Sequence, residues 1–279
     1  MNRNEKYQHF KALHEQDTTF VMPNPWDAGS ARLLTSLGFE ALATTSAGYA
    51  FSKGKRDSFA GLSRQEILIN ATEITAATEL PVSADLEDGF GATSDICAET
   101  VTKACATGLV GGSIEDATGD PGTPIYEFAQ AVDRIRAAAE AASGQDFLLT
   151  ARAENFICGN PDLTDTIRRL QAFSEAGADV LYAPGLPDIE TIRTVCREVD
   201  KPVNVVMGLR GPGYSIAELA DAGVKRISVG GSFARAAFGA LMRAAQEVRL
   251  SGTFDYALDA MPGEAISQLM SHTKSTNRS

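Results

Sequence analysis

Pro81-Val82-Ser83-Ala84-Asp85-Leu86-Glu87-Asp88-Gly89-Phe90-Gly91 opens as a short apolar run and closes on three carboxylates within four positions, followed by two glycines. A buried strand that stops in acids and turns on glycine presents oxygen ligands at the rim of a sheet. Such hard donors suit Mg²⁺, which binds through one or two carboxylates and keeps most of its waters. The same letters also describe a charged turn after an ordinary strand, so the neighbouring units must decide. Downstream, helical sequence over 95–107 stops at Gly108, and a second apolar run over 111–114 ends in Glu115-Asp116. Upstream, helical sequence over 63–79 leads into Pro81. The unit strand–acids–helix–glycine therefore recurs.

Extended outward, the repeat covers almost the whole chain. Strand-like runs fall at 20–26, 41–48, 81–85, 111–116, 147–154, 180–184, 202–207 and 226–231. Between them lie helical stretches, from near Ala28 (with Asp27 suited to cap it) and then over 63–79, 95–107, 125–142, 162–176, 189–198, 216–222 and 233–250. Four helices stop at Gly38, Gly108, Gly177 and Gly223, where a left-handed residue ends a helix. No strand is followed by a tight hairpin signal, so every connection reads as a crossover and the sheet as parallel. Eight such units in about 250 residues fit a (β/α)8 TIM-type barrel. A doubly wound open sheet is the alternative, but no GxGxxG follows the first strand. The expected organisation is a barrel over residues 1–250 with a short polar N-terminal helix. Residues 251–279 form a C-terminal helical extension, apolar over 254–258 and 266–270, with a disordered tail at 275–279.

Hydrophobic residues make up 44% and charged residues 22% of the 279, ordinary for a globular chain with a full core. The formal net charge of −11 argues against nucleic acid as a general partner, which needs a basic face, yet leaves a small anionic substrate open. Cys97, Cys105, Cys158 and Cys196 have no CxxC spacing and no neighbouring His, which speaks against zinc. With no signal peptide and no apolar run near twenty residues, no membrane role is expected and the setting reads as cytoplasmic.

Barrels of this kind carry their sites at the C-terminal ends of the strands. Those positions hold Thr45 and Ser46, then Asp85, Glu87 and Asp88, then Glu115 and Asp116, then Arg152 and Glu154; strands six and eight end in apolar or small residues. Carboxylates crowded on one rim repel and partly protonate unless a cation is present. Either a divalent ion fills that need or lysines and arginines from the loops do, above all for Asp88 and Asp116. Arg152 can hold a substrate carboxylate or enolate oxygen in a bidentate way, or pair with Glu154 or Glu115.

Asp85-x-Glu87-x-Gly89-Phe90-Gly91, Ile114-Glu115-Asp116, Thr150-Ala151-Arg152, and Gly38-Phe39-Glu40-Ala41 leading into Thr45-Ser46-Ala47-Gly48 together resemble the isocitrate lyase and phosphoenolpyruvate mutase superfamily. The resemblance implies a Mg²⁺ site, with Mn²⁺ as the alternative metal, built on Asp85, with Glu87 and Glu115 reaching the ion directly or through water. It also implies 2-oxo acids or their enolates as ligands, with Thr45, Ser46 and Ala47 holding the carboxylate, Asn204 joining the substrate-binding set and Arg152 supporting enolate charge. A homo-oligomer, a dimer of dimers with the C-terminal helix swapped between subunits, follows from the same likeness. The chain departs from the family in three places. Glu87 stands where Asp is usual. The loop Ala117-Thr118-Gly119-Asp120-Pro121-Gly122-Thr123-Pro124 has neither the Cys and His of isocitrate and methylisocitrate lyases nor the Lys and Asn-Ser of the phosphonate enzymes. His9, His14 and His272 lie off the rim; the resemblance, which implies an aromatic or hydroxyl group just after strand two, makes Tyr49 the first proton-donor candidate, and Cys158 and Tyr182 come next. Lys53, Lys55 and Arg56 could receive a distal carboxylate or form a solvated face. The expected activity is Mg²⁺-dependent carbon–carbon cleavage of a 2-oxo or 2-hydroxy (di)carboxylate through a metal-bound enolate, as in cleavage of a substituted malate or decarboxylation of an oxaloacetate type. Carbon–phosphorus mutase or hydrolase chemistry, or an oxo-acid-binding barrel without turnover, are the alternatives.

Overall fold

In a computed structural model, residues 1–59, 61–209 and 211–271 are described. His272 and the expected disordered tail lie outside them. Eight strands, β1 (Phe20–Met22), β2 (Leu42–Ala43), β3 (Val82–Asp85), β4 (Gly111–Glu115), β5 (Leu148–Arg152), β6 (Val180–Tyr182), β7 (Val203–Val206) and β8 (Arg226–Ser228), form one sheet in the order β1-β8-β7-β6-β5-β4-β3-β2. Every paired strand is parallel. The ring closes where Ala43 N–H donates to the Pro23 carbonyl at 3.0 Å. The molecule is a (β/α)8 TIM-type barrel.

The helices are α1 (Arg3–Glu15), α2 (Ala28–Ser36), α3 (Ser46–Ser52), α4 (Arg64–Ala77), α5 (Ser94–Cys105), α6 (Phe128–Ala142), α7 (Leu163–Glu175), α8 (Ile189–Glu198), α9 (Ile216–Asp221), α10 (Ser232–Ser251) and α11 (Gly263–Met270). Several begin on short polar caps: Asp27, expected from sequence, and Ser63, Asp162, Asp188 and Ser215 each accept a hydrogen bond from the third residue of their helix. The four helix-stopping glycines all have positive φ; Gly177, at +106°, would drive a Cβ to 2.8 Å from Ala139 Cβ. One strand is much shorter than the letters suggest. The run 41–48 reads as a single strand, but β2 ends after two residues, and Thr45 becomes the cap of α3 by accepting from Gly48 N–H at 3.2 Å. A hydroxyl residue able to close the first turn outweighs the strand propensity of Thr44 and Thr45.

Alternation along the strands divides inside from outside. Ile114, Ala151 and Leu181 join the main core between sheet and helices, and Val205 and Ile227 join a smaller one with Ile192 and Leu219. Their inward neighbours surround a chamber of about 70 Å³ touched by all eight strands. Its floor is polar. Arg226 donates to Asn204 Oδ1 (2.8 Å) and Thr150 Oγ1 (3.0 Å) and meets His14 Nε2 at 3.2 Å. Helix α1 seals the bottom of the barrel by burying Phe10, Leu13 and His14 against Phe20 and Met22. Burial, with the Arg226 charge beside it, pushes the His14 imidazole down to about 3, so it is neutral.

Candidate active site

Register sets the site. Asp85 is opposite Ser113, Glu115 opposite Arg152, and Arg152 opposite Tyr182. One row at the barrel mouth therefore carries an acid, a guanidinium and a phenol, and Asp85, level with Ser113 and Thr150, reaches the guanidinium from the row beneath. Arg152 donates from Nε to Glu154 Oε1 (2.8 Å) and from Nη1 to Asp85 Oδ1 (3.2 Å), and its Nη2 lies 3.0 Å from Glu115 Oε2. Its guanidinium also faces the Tyr182 ring, 5.0 Å from the centroid. The two readings of Arg152 are thus not exclusive at this point: it pairs with Glu154 and Glu115, and with Asp85 as well. Burial alone would lower the Arg152 pKa, but the three carboxylates outweigh it and hold the charge firmly in place.

Asp85 is fixed from several sides. Ser46 Oγ donates to its Oδ2 at 2.9 Å, Glu87 N–H donates to its Oδ1 at 3.3 Å, and its own N–H donates to Thr44 Oγ1 at 3.0 Å. The turn that follows is strained: Glu87 and Phe90 hold φ of +49° and +63°, a region that side chains with a Cβ rarely adopt. Gly89, at +83°, has Cys97 Sγ 3.0 Å from where a Cβ would stand. Burial and the neighbouring charges of Asp85, Asp57 and Asp88 push the Glu87 carboxyl up to about 8. Burial also raises Glu115 well above its ordinary value, against the pull of Arg152. The outer acids have partners from the helices. Asp88 accepts from Tyr126 Oη at 3.2 Å and lies 3.8 Å from Arg134, and Asp116 accepts from Arg169 at 3.0 Å and from Glu154 N–H at 2.8 Å. These two tie helices α6 and α7 to the strand ends.

Above this layer opens a cavity of about 860 Å³ lined by Thr45, Ser46, Ala47, Asp57, Asp85, Glu87, Glu115, Arg152, Glu154, Cys158 and Tyr182, among others. Of the residues given a catalytic, substrate-binding or metal role from sequence, Tyr49 and Asn204 do not line it. Tyr49 is buried in α3 within the main core, with Lys53 Nζ 5.1 Å over its ring. Because β2 stops at Ala43 and α3 starts at Ser46, Tyr49 rides on a helix beyond the strand end and its ring packs into the core. Asn204 lines the chamber beneath, its amide engaged by Arg226 and Ser228. Lys55 pairs with Glu66 at 2.5 Å, and Lys53, Lys55 and Arg56 are exposed, a solvated face. Asp57 is the residue that the sequence reading omits: it stands in the same polar loop, which folds back so that Asp57, Ser58 and Phe59 line the cavity.

Among the described residues no three His, Cys, Asp or Glu side chains converge as a ready-made metal cage. Mg²⁺ does not need one, because it is held by one or two carboxylates and completes its shell with water. The donors at the mouth are all hard oxygens, and Asp85, Glu115 and Glu154 share the single guanidinium of Arg152, with Glu87 and Asp57 on the same cavity wall. The residues fit a small divalent cation.

A parallel eight-stranded barrel with acids gathered round one arginine at its C-terminal mouth is the architecture of a (β/α)8-barrel enzyme. A sequence model described as phosphoenolpyruvate phosphomutase matches residues 10–249, and the chain belongs to this family. A crystal structure of a candidate lyase/mutase from Burkholderia cenocepacia J2315 is 53% identical, with a TM-score of 0.94 over 97% of both chains. That of 2,3-dimethylmalate lyase is 27% identical, with a TM-score of 0.85 over 97% of this chain and 95% of that one. The 2-methylisocitrate lyase of Escherichia coli K12 is 29% identical over 90% of this chain and 87% of its own length. The protein is an enzyme, a carbon–carbon lyase of the isocitrate lyase and phosphoenolpyruvate mutase type.

Proposed function

We propose that this lyase is Mg²⁺-dependent and cleaves the carbon–carbon bond beside a 2-oxo or 2-hydroxy carboxylate, with negative charge developing on an enolate. The observation that carries the reading is Arg152 in contact with Asp85, Glu115 and Glu154 on the wall of the main cavity. A guanidinium has five N–H donors; three atoms of this one point at carboxylates, and the N–H groups left over can receive an oxyanion. Fixed donors of this kind stabilise charge as it develops without reorganising.

Asp85, with Glu87 and Glu115, would hold the metal, which when bound supplies positive charge beside the reacting oxygens. The Ser46 hydroxyl keeps Asp85 oriented, and Thr45, Ser46 and Ala47 offer hydroxyl and main-chain N–H groups to a substrate carboxylate at the start of α3. Tyr182 takes over from Tyr49 as proton donor. Its phenol borders both cavities, and burial raises it, so it stays protonated through neutral pH. The loop 117–124 brings Ala117, Gly119, Asp120, Pro121 and Pro124 to the cavity, with neither the Lys nor the Asn-Ser pair of the phosphonate enzymes. The assembly belongs to the proposal too, with a second copy covering the exposed apolar side of α10, as does a cytoplasmic setting for a chain whose four cysteines are all free.

Exchange of pyruvate methyl protons in D₂O tests the enolate directly. It is expected only with Mg²⁺ present, to vanish in Asp85→Ala, and to slow about 10²-fold or more in Tyr182→Phe, the size of a lost general acid. Exchange that persists in chelator or in Asp85→Ala would refute the metal-assisted enolate. Phosphate released from phosphonopyruvate, read by ³¹P spectra, would favour phosphonate chemistry instead.

A further inference from the structure

Beneath the mouth, the barrel interior is polar where branched aliphatic side chains usually fill it. Asn24, Ser83, Ser113, Asn204, Arg226 and Ser228 line the chamber of about 70 Å³. Arg226 is 3% exposed, and burial lowers its pKa only to about 9, so it keeps its charge at neutral pH. Three of its five N–H groups go to neutral acceptors, Asn204 Oδ1, Thr150 Oγ1 and His14 Nε2. The His14 nitrogen is free to accept because its Nδ1 donates to the Phe10 carbonyl at 2.8 Å. No carboxylate pairs with Arg226 among the described residues, whereas Arg152 has three. Asp85 borders the chamber as well, but its oxygens are taken by Ser46, the Glu87 N–H and Arg152. The Ser83 and Ser113 hydroxyls, on the chamber wall, have no hydrogen-bond partner among the described residues.

We propose that this chamber is a binding site for a small monovalent inorganic anion of the chloride class, held by the Arg226 guanidinium and the hydroxyls of Ser83 and Ser113. A buried cation met only by neutral dipoles recovers little of its lost hydration, and an anion beside it offsets that cost. The wall offers donors to such an ion: two N–H groups of Arg226 remain beyond its three acceptors, and both serine hydroxyls can turn their protons inward. The volume suits a monoatomic ion with a few waters and is far below that of a pocket for an organic ligand. Thr45, Asp85, Arg152, Tyr182, Val206 and Gly230 line both the chamber and the main cavity, so the ion enters through the mouth. Its role is in the fold: it neutralises the Arg226 charge above the floor that α1 seals. The site stands apart from the lyase reading and does not depend on it.

The test exchanges the full-length protein into a gluconate salt and replaces gluconate by chloride, then by bromide, at constant ionic strength. The melting temperature, followed by circular dichroism, is expected to rise to a plateau about 2–4 °C higher, the shift that roughly tenfold saturation of one site gives a chain of this size. Ser83→Ala combined with Ser113→Ala should raise the half-saturating chloride concentration at least ~10-fold, because each hydroxyl donates to a charged ligand. Arg226→Met should abolish the response; if that variant does not fold, the serine pair decides the matter without it. Crystals soaked in bromide should show an anomalous peak beside Arg226, on the Ser83 and Ser113 side. A melting temperature that does not rise to a plateau overturns the proposal. So does an unchanged response in the serine double variant, or a bromide peak at Arg152 in the mouth with none beside Arg226.

Discussion

Glu87 shows how one residue can couple the metal to pH. Its carboxyl sits near 8 in the folded chain against an ordinary value of 4.5, through burial and then the charges of Asp85, Asp57 and Asp88. Between those values the unfolded chain has released a proton that the fold retains, so this group's contribution to stability falls as pH rises through that window. A carboxylate ligand must be deprotonated, so the proposed Mg²⁺ binding is expected to expel the proton and to tighten up to about pH 8. Calorimetric titration at pH 6.5 in buffers of different ionisation heat should register proton release that shrinks in Glu87→Gln and disappears above pH 9; no release at pH 6.5 would mean that Glu87 is already ionised or is not engaged. The acids themselves are plain in the sequence because they end apolar runs. Asp57 is not, since a lone acid beside Lys53, Lys55 and Arg56 looks like any solvated loop until the loop closes over the mouth.

Among the elements, α1 has a role out of proportion to its polar appearance. Only Phe10, Leu13 and His14 of its thirteen residues are buried, yet they close the barrel floor beneath Arg226. Phe10 is fully buried, in edge-on contact with His14 at 4.6 Å between ring centroids. Phe10→Ala is expected to cost about 3–5 kcal/mol, measured by urea unfolding, and a loss below about 1 kcal/mol would show that the plug is dispensable. Sequence periodicity locates α1 but not its target, because beside Phe20 and Met22 it covers Ala41, Val110, Leu148 and Arg226 from farther along the chain. The same limit explains Tyr49 and Asn204. Their distance along the chain from Thr45 and Arg152 is visible at once, but which way each side chain faces depends on where β2 stops and on the cation that fills the barrel floor.

At the scale of the whole molecule, the eight-unit repeat makes the barrel legible from its letters, since each helix stop and each apolar run repeats the same local chemistry. The outer end of α10 is different. Of its twenty residues only Ala234 is buried, while Leu241 and Met242 are 63% and 58% exposed. Its apolar spacing predicts a helix packed on a neighbour, and among the described residues its recurrent partner is the short α3. A second copy of the chain is the proposed cover. Light scattering coupled to size exclusion should therefore give a multiple of the 29.5 kDa chain mass, and Leu241→Glu with Met242→Glu should reduce it; a wild-type monomer would refute the assembly. The left-handed backbone at Glu87 and Phe90 bears on how this protein can be engineered. Such residues cost the fold on the order of 1–3 kcal/mol each, and glycine would relieve them. Directed evolution screened on heat resistance alone would accept that exchange at Glu87 and discard an oxygen donor at the mouth, so thermostability and turnover have to be selected together.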